Sequence, residues 1–252
     1  MQLFYNKDIT PSGICTLDAE ESRHAVRVLR LREGDELHVT DGRGNLYRCQ
    51  MLGLSQKGKS EECQVEVVCQ LPSPSEEGMR ARLHLAVAPT KNPSRMEWLV
   101  EKAVEIGIGE ITLLNCDHSE RSFLKTDRLE KLAVSAMKQS LHSWLPTIHP
   151  ATTLHDLLST TNHPLPAQKF IAHCEADKPR MPLATALQPG LDTMVLIGPE
   201  GDFSEKEIAL ALDCGFQPVS LGSSRLRTET AALYAVTAFN IMNEEPRTKN
   251  QE

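Results

Sequence analysis

The chain has few aromatic residues and no long apolar run, and each shortage excludes a class of protein. Phe, Trp and Tyr make up 4% of its 252 residues, so the core must be mostly aliphatic. No apolar stretch approaches the roughly 20 residues needed to span a bilayer. The first residues, MQLFYNKDIT, contain no apolar signal core. We therefore expect a cytoplasmic protein with no membrane partner.

Paired cysteines are also missing. The seven cysteines are scattered, none forms a CxxC motif, and their number is odd. Reduced thiols fit this pattern better than a disulfide framework. Cys116-Asp117-His118 lacks a spacing suited to metal ligation, so we expect no metal.

An excess of positive charge is absent as well, since the net charge is −7. A nucleic-acid ligand needs only a local basic patch, so this balance does not exclude one. The candidate patch runs from Arg23 to Arg48, with six arginines against four acids. Its plainer interpretation is a solvated helix face and turn.

The first 72 residues predict a small β-barrel, because short strands alternate with tight turns. Strands are predicted at 2–5, 13–17, 36–40, 46–54 and 63–71. A helix over 19–31 has Asp18 as its N-cap and Glu21 as capping-box partner. Asp41-Gly42-Arg43-Gly44-Asn45 predicts a hairpin turn. The stretch PSPSEEG then indicates a linker over 73–78.

Residues 79–245 predict an α/β domain with a mostly parallel sheet, because strands alternate with helices. The predicted strands are 83–88, 111–114, 169–173, 193–197 and 218–221. The predicted helices are 93–106, 127–142, 204–214 and 229–242. Residues 246–252 form a tail.

Three predicted loops follow strands of this sheet, and ligands of parallel sheets lie at the carboxyl ends of strands. They are IAHCEAD (171–177), GPEG (198–201) and LGSSRLRTETAA (221–232). Gly198 and Gly201 would let a ligand approach the backbone, and Pro199 would stiffen the turn. Each loop alone is compatible with a plain connection. Arg225 and Arg227 favour an anionic ligand beside a helix start.

Together these motifs resemble the bacterial small-subunit rRNA uridine-N3 methyltransferases of the SPOUT superfamily. LIGPEGDFSEKE (196–207) and LGSSRLRTETAA resemble the family's C-terminal signature, and RHAVRVLRLREGDELHVTDGRG (23–44) resembles its PUA-like barrel. RMEWLVEKAVEIGI (95–108) and MKQSLHSWLP (137–146) resemble helices of its methyltransferase domain. The resemblance covers nearly the whole chain. Asp202 stands where the family often has Gly, and His142 where it often has a basic residue.

The resemblance implies a trefoil-knotted α/β domain that binds S-adenosyl-L-methionine, a homodimer, and 16S rRNA of the small ribosomal subunit as partner. The cofactor residues it implies are His173, Ile197, Gly198, Pro199, Glu200, Gly201, Leu221, Gly222, Leu226, Arg227, Thr228, Thr230 and Ala231.

Uridine N3 carries a proton at neutral pH, so its methylation needs a base. Glu229 is the candidate base, and Arg225 or Arg227 would stabilise negative charge on the uracil oxygens. The residues predicted to grip RNA are Arg23, His24, Arg27, Arg30, Arg43, Lys91 and Arg95.

Two other functions remain open at this point. One is a related ribose 2′-O methyltransferase, for which Asn92 and Arg95 superficially offer the activating pair, although PTKNPSRMEW does not match that motif. The other is a non-catalytic RNA-binding or ribosome-assembly factor, which the intact GPEG and RTETAA stretches disfavour.

Overall fold

The computed structural model describes residues 2–57, 60–72, 81–120, 125–159, 165–174 and 180–244. The predicted linker at 73–78 and tail at 246–252 lie outside these residues. The chain forms two compact units, one of Met1–Glu77 with Val134–Leu145 and one of Gly78–Ala133 with Pro146–Glu252. Among the described residues, no helix is both long and apolar enough to cross a membrane.

The first unit contains a five-stranded sheet in the order β1-β3-β4-β5-β2. Only β1 and β3 pair in parallel, and the other pairs are antiparallel. The predicted hairpin turn joins β3 and β4. The strands are β1 (Leu3–Tyr5), β2 (Gly13–Thr16), β3 (Glu36–Thr40), β4 (Leu46–Lys57) and β5 (Ser60–Leu71).

The helix of this unit is shorter than expected. Helix α1 covers Ala19–Arg23 and continues only as a π-helical turn, His24–Val28, because Arg30 adopts a left-handed φ of 58°. Asp18 is the N-cap, accepting from the amides of Glu20 and Glu21. The capping box was wrong, since the Glu21 carboxylate pairs with Lys138 instead.

The segment Val134–Leu145 completes the first unit at the β3–β4 turn. The Ser143 carbonyl accepts from the Gly44 amide at 2.9 Å and the Thr40 hydroxyl at 3.1 Å. A Cβ on Gly44 would lie 2.6 Å from the Trp144 indole, and this glycine has a φ of +97°. Glycine is therefore required where the indole covers the turn.

The second unit contains a seven-stranded sheet, ordered β10-β12-β9-β11-β6-β7-β8, in which every pair is parallel. The predicted parallel α/β class is thus confirmed. The strands are β6 (Leu83–Val87), β7 (Glu110–Asn115), β8 (Thr147–Thr153), β9 (Gln168–Ala172), β10 (Met181–Pro182), β11 (Thr193–Ile197) and β12 (Gln217–Ser220).

The helices described after α1 are α2 (Pro93–Ile106), α3 (Thr126–Gln139), α4 (Leu154–Ser159), α5 (Leu183–Ala186), α6 (Glu205–Asp213) and α7 (Thr228–Asn243). Helix α2 begins after the N-cap Asn92 and ends at Gly107, which has a φ of 109°. Helix α6 has the predicted capping box of Ser204 and Glu207. The sequence pattern missed β8, β10, α4 and α5, which are short or weakly apolar.

The last helix returns to the first elements of this unit, since α7 packs against α2, β6 and β11. Its buried side is formed by small and aliphatic residues such as Ala232, Ala235 and Val236. These contacts place the start of α7 beside the end of β11, where the Thr228 hydroxyl donates to the Gly198 carbonyl.

Candidate active site

The sheet order brings the three unusual loops to one edge. Strands β12, β9 and β11 are neighbours and run parallel, so their carboxyl ends share that edge. His173 and Cys174 follow β9, Gly198 follows β11, and Leu221 follows β12. Residues 175–177 of the first loop lie outside the described residues.

The glycines of the GPEG turn are needed for packing within the chain itself. A Cβ on Gly198 would lie 3.0 Å from the Phe203 ring, and one on Gly201 would lie 3.1 Å from Cβ of His118. These Cβ directions therefore point at protein and not at open space. Gly222 differs, because its φ is +96° and no atom lies within 4 Å of the Cβ position.

Asp202 connects two of the three loops. Its φ of 64° is left-handed, which suits the glycine often found here but is tolerated by Asp. The two carboxylate oxygens accept from the amides of Cys174 at 2.6 Å and Phe203 at 2.8 Å. The substitution therefore adds a link between the ends of β9 and β11.

The loop after β7 also contacts the GPEG turn, through the imidazole of His118. Nδ1 of His118 lies 3.1 Å from the carbonyl oxygens of Gly201 and Asp202, so it must carry the proton and donate. Asp117 accepts from the Ser204 hydroxyl at 2.6 Å. Burial raises the pKa of the Cys116 thiol far above its usual range. Among the described residues, Cys116-Asp117-His118 thus has a structural role, which is to hold the GPEG turn and the start of α6 in place.

The start of α7 carries the charged centre of the site. Thr228 donates its hydroxyl to the Gly198 carbonyl at 3.1 Å, which fixes α7 to the GPEG turn. Glu229 is 6% exposed, and its Oε1 lies 3.6 Å from Nη1 of Arg95. Its Oε2 is buried and has no hydrogen-bond partner among the described residues. Arg225 and Arg227 are exposed.

The other predicted cofactor residues differ in exposure. The buried ones are His173, Ile197 and Pro199, and the half-buried or exposed ones are Glu200, Leu221, Leu226, Thr230 and Ala231. The Ile197 carbonyl accepts from the Ala88 amide at 3.0 Å, and the His173 carbonyl accepts from the Arg180 guanidinium. The backbone carbonyl groups of Ile197 and His173 therefore already have hydrogen-bond partners within the chain.

In the first unit, Arg23 and His24 line a cavity of about 580 Å³ together with Lys138 and Gln139. Lys138 and Gln139 were not predicted, because they lie far from the barrel in sequence and only folding joins them. The His24 ring packs edge-on against Phe4 at 5.8 Å. Two cations, an imidazole, amide groups and the carboxylate of Glu20 therefore line one space.

The remaining predicted RNA contacts are placed differently. Arg27 and Arg30 are exposed, and Arg43 donates to the Lys7 carbonyl. In the second unit, Lys91 pairs with Glu120 at 2.8 Å. Arg95, half-buried, faces Glu229 and so belongs to the charged centre.

Comparison with known proteins decides the family. Residues 77–240 match the model of an RNA methyltransferase domain, and residues 17–61 match that of an RNA methyltransferase PUA domain. The chain belongs to the RNA methyltransferase family. The family recognised from the motifs is thereby confirmed.

Relatives of this methyltransferase are similar to it over most of the length of both chains. A structure from Porphyromonas gingivalis described as a probable rRNA methyltransferase is 41% identical, with a TM-score of 0.85 over 96% of this chain and 98% of that one. A Legionella pneumophila methyltransferase in complex with bound SAM is 25% identical, with a TM-score of 0.76 over 95% and 96%. The ribosomal RNA small subunit methyltransferase E of Buchnera aphidicola is 28% identical over 232 residues, 89% of this chain and 87% of that protein.

Proposed function

We propose that this RNA methyltransferase transfers a methyl group from S-adenosyl-L-methionine to N3 of a uridine in 16S rRNA. The names of its relatives support the rRNA substrate. The observation that carries the reaction type is Glu229, a buried carboxylate with one oxygen beside Arg95 and the other without a hydrogen-bond partner among the described residues. A nucleophile that must lose a proton requires an acceptor of this kind.

Glu229 has the position and chemistry of a general base. Its Oε2 can accept a proton because no hydrogen bond from a described residue occupies it, and Arg95 orients the carboxylate through Oε1. Arg225 and Arg227, exposed on the preceding loop, can reach an anionic ligand and stabilise negative charge on the uracil oxygens. Uridine N3, flanked by two carbonyl groups, matches this pairing of a base with cations.

The residues present fit S-adenosyl-L-methionine. A Cβ on Gly222, at the end of β12, would meet no described atom within 4 Å, so open space lies beside this residue. The GPEG turn opposite is held by Asp202, His118 and Thr228, so it presents fixed backbone groups. The other residues that would hold the cofactor are Ile197, Leu221 and Leu226. When bound, the cofactor supplies an electrophilic methyl group.

In this proposal the first unit binds the RNA. Exposed Arg27 and Arg30 suit phosphates, and the cavity of Arg23, His24, Lys138 and Gln139 suits an unpaired nucleotide. We propose residues 1–72 as the RNA-binding domain and 79–245 as the methyltransferase domain, with 134–145 completing the first. The target base must leave its stack to reach Glu229.

A homodimer is the proposed assembly. Tyr234 and Ile241 lie seven residues apart on one face of α7 and are 37% and 64% exposed, and Trp98 on α2 is 44% exposed. Apolar side chains exposed on helices that pack together are typical of a subunit contact. Sedimentation equilibrium tests this directly, and a monomer at micromolar concentration would contradict it.

The contacts of Asn92 and Arg95 count against the ribose 2′-O alternative. The Asn92 side chain caps α2 by accepting from the Ser94 amide at 3.0 Å, and Arg95 is directed to Glu229. Oδ1 of Asn92 and Nη1 of Arg95 each already have a partner within the chain, which counts against their joint use on a ribose hydroxyl.

The test is methylation of small subunits, and separately of free 16S rRNA, from a strain that lacks the enzyme. The modified nucleoside is digested out and fragmented in a mass spectrometer, because base and ribose methylation of uridine have equal mass. We expect the methyl group on the base, at N3. A methyl on the ribose would overturn the proposal. Absence of S-adenosyl-L-methionine binding by calorimetry would indicate a non-catalytic RNA-binding factor.

A further inference from the structure

We propose that His84, Glu110 and His149 form a binding site for one divalent transition-metal ion of the class that imidazole favours, such as Zn²⁺. Each residue offers one ligand atom, and these atoms lie within 4.8 Å of one another. The site is separate from the methyl-transfer chemistry, because His84 and Glu110 stand at the amino ends of β6 and β7, while the three loops follow carboxyl ends.

The sheet register assembles the group. His84 is the register partner of Glu110, and Thr112 is the partner of His149, so all four side chains share one face of β6, β7 and β8. The β7–β8 register shifts just after the pair of Thr112 and His149. Such irregularities re-aim side chains, and this one adjoins His149.

The distances suit metal ligation. Oε2 of Glu110 lies 3.1 Å from Nε2 of His149 and 3.9 Å from Nδ1 of His84. Tetrahedral bonds of about 2.0–2.1 Å place ligand atoms roughly 3.3 Å apart, so the His84 ring must move toward the other two ligands from separations of no more than 4.8 Å. Two imidazoles and one carboxylate form a donor set found in zinc sites.

Thr112 supplies the supporting contact that metal-binding histidines usually have. Thr112 is 2% exposed, and its hydroxyl lies 2.7 Å from Nε2 of His84. A hydrogen bond on that nitrogen leaves Nδ1 directed toward Glu110 and fixes the ring. The side chains of His84, Glu110 and His149 are 15%, 32% and 24% exposed, so an ion can enter and keep a water ligand.

The ion would tie the edge strand β8 to β6 and β7. Strand β8 pairs with only one neighbour, because it stands at the end of the sheet. A bridge from His149 to His84 skips over β7 and joins strands that share no hydrogen bonds. We therefore expect metal binding to raise the melting temperature without being required for methyl transfer.

The experiment uses the full-length protein, stripped with a chelator and then dialysed against Zn²⁺ or Co²⁺. We expect one tightly bound ion per chain, a zinc-dependent rise in Tm, and a Co²⁺ spectrum without a thiolate charge-transfer band. Glu110→Gln and His149→Ala should each weaken binding at least tenfold. Thr112→Val should weaken it about 10–100-fold, the usual effect of losing a supporting contact.

The matched control is His155→Ala, which removes an exposed imidazole beside Asp156 and should leave metal binding unchanged. Failure of the unaltered protein to retain one equivalent of either ion would overturn the proposal, whether or not the variants fold. A thiolate band would assign the metal to cysteines and overturn it too. Equal loss in His155→Ala would have the same consequence.

Discussion

Buried Glu229 and half-buried Arg95 form an ion pair, with Oε1 of the glutamate 3.6 Å from Nη1 of the arginine. The pair joins the start of α7 to the first turn of α2, and it leaves the second carboxylate oxygen of Glu229 directed at no donor among the described residues. Arg95 thus has a defined task inside the site. A carboxylate held at one oxygen and open at the other is suited to take a proton in a fixed direction.

Glu229→Gln tests that role. The amide keeps the shape of the side chain but cannot take a proton, so we expect turnover to fall by about 10²–10⁴-fold, the usual worth of general-base assistance. Affinities for cofactor and rRNA should change little. Turnover should recover partly at alkaline pH, where uridine ionises unaided. The measurement is a single-turnover rate against pH.

Either of two results would reject the base assignment. One is a rate loss of less than about tenfold, well below that range. The other is lost cofactor binding or an unfolded last helix, which would make Glu229 a structural cap.

Arg95→Ala and Arg227→Ala should have different effects, because Arg95 pairs with a buried carboxylate and Arg227 is exposed. Removing Arg95 leaves a buried carboxylate without its cation, so we expect the free energy of unfolding to fall by roughly 1 kcal/mol as well as a loss of rate. Arg227 is exposed, so its removal should lower the rate only, without rescue at alkaline pH. The measurements are denaturant unfolding and methylation rates for both variants. Equal destabilisation by the two would contradict the placement of Arg95.

Neutralising Arg23, Arg27 and Arg30 should weaken rRNA binding and flatten its salt dependence. Each lost phosphate contact should lower the slope of log affinity against log salt by about 0.7–0.9. The control is Lys102→Gln, since Lys102 is already paired with Glu101 and Glu105. Cofactor affinity should stay constant throughout. An unchanged slope in the triple variant would show that these arginines are only solvated surface.

Asp202→Gly should loosen the cofactor loops while preserving their backbone conformation. Glycine accepts the left-handed φ, but the hydrogen bonds to the amides of Cys174 and Phe203 are lost. We expect cofactor affinity to fall about tenfold, equivalent to about 1.4 kcal/mol. Calorimetry measures it, with exposed Glu205→Gln as the control. If affinity stays the same, the link between the loops has no part in binding.

Cys174 should be the first thiol to react with an alkylating reagent at neutral pH. It is exposed, whereas burial raises the pKa of Cys15 to about 11 and that of Cys49 to about 12, which keeps those thiols protonated and slow. Because Cys174 follows β9 at the candidate site, S-adenosyl-L-methionine should protect it. Peptide mapping after brief labelling checks this. Protection of Cys69 in place of Cys174 would contradict the site.

The sequence predicted those features of the fold that depend on neighbours along the chain. The parallel strands, the Ser204–Glu207 capping box and the Gly107 helix end follow from local spacing. The strands β8 and β10 were missed because their apolar pattern is weak. Helix α1 was overextended, since nothing local announces the π-helical turn at His24.

Contacts between distant segments could not be predicted in the same way. Nothing in the sequence around Arg95 indicates that it meets Glu229, and nothing around Gly198 indicates that its Cβ position faces the Phe203 ring. The hydrogen-bonding role of Asp202 and the grouping of His84, Glu110 and His149 also arise only from the order of strands in the sheet.

The first unit is built from two segments that lie far apart in the sequence. This arrangement constrains the order in which the protein can fold during its own synthesis. The turn that holds Gly44 is covered by Trp144, and this indole is translated long after the barrel strands. At about 5–20 residues per second, the interval between residue 72 and residue 145 lasts roughly 4–15 seconds. During that time the barrel strands exist without the segment that closes them. A nascent chain released before residue 145 should therefore be a target for chaperones and proteases, even though every strand of its sheet has been made.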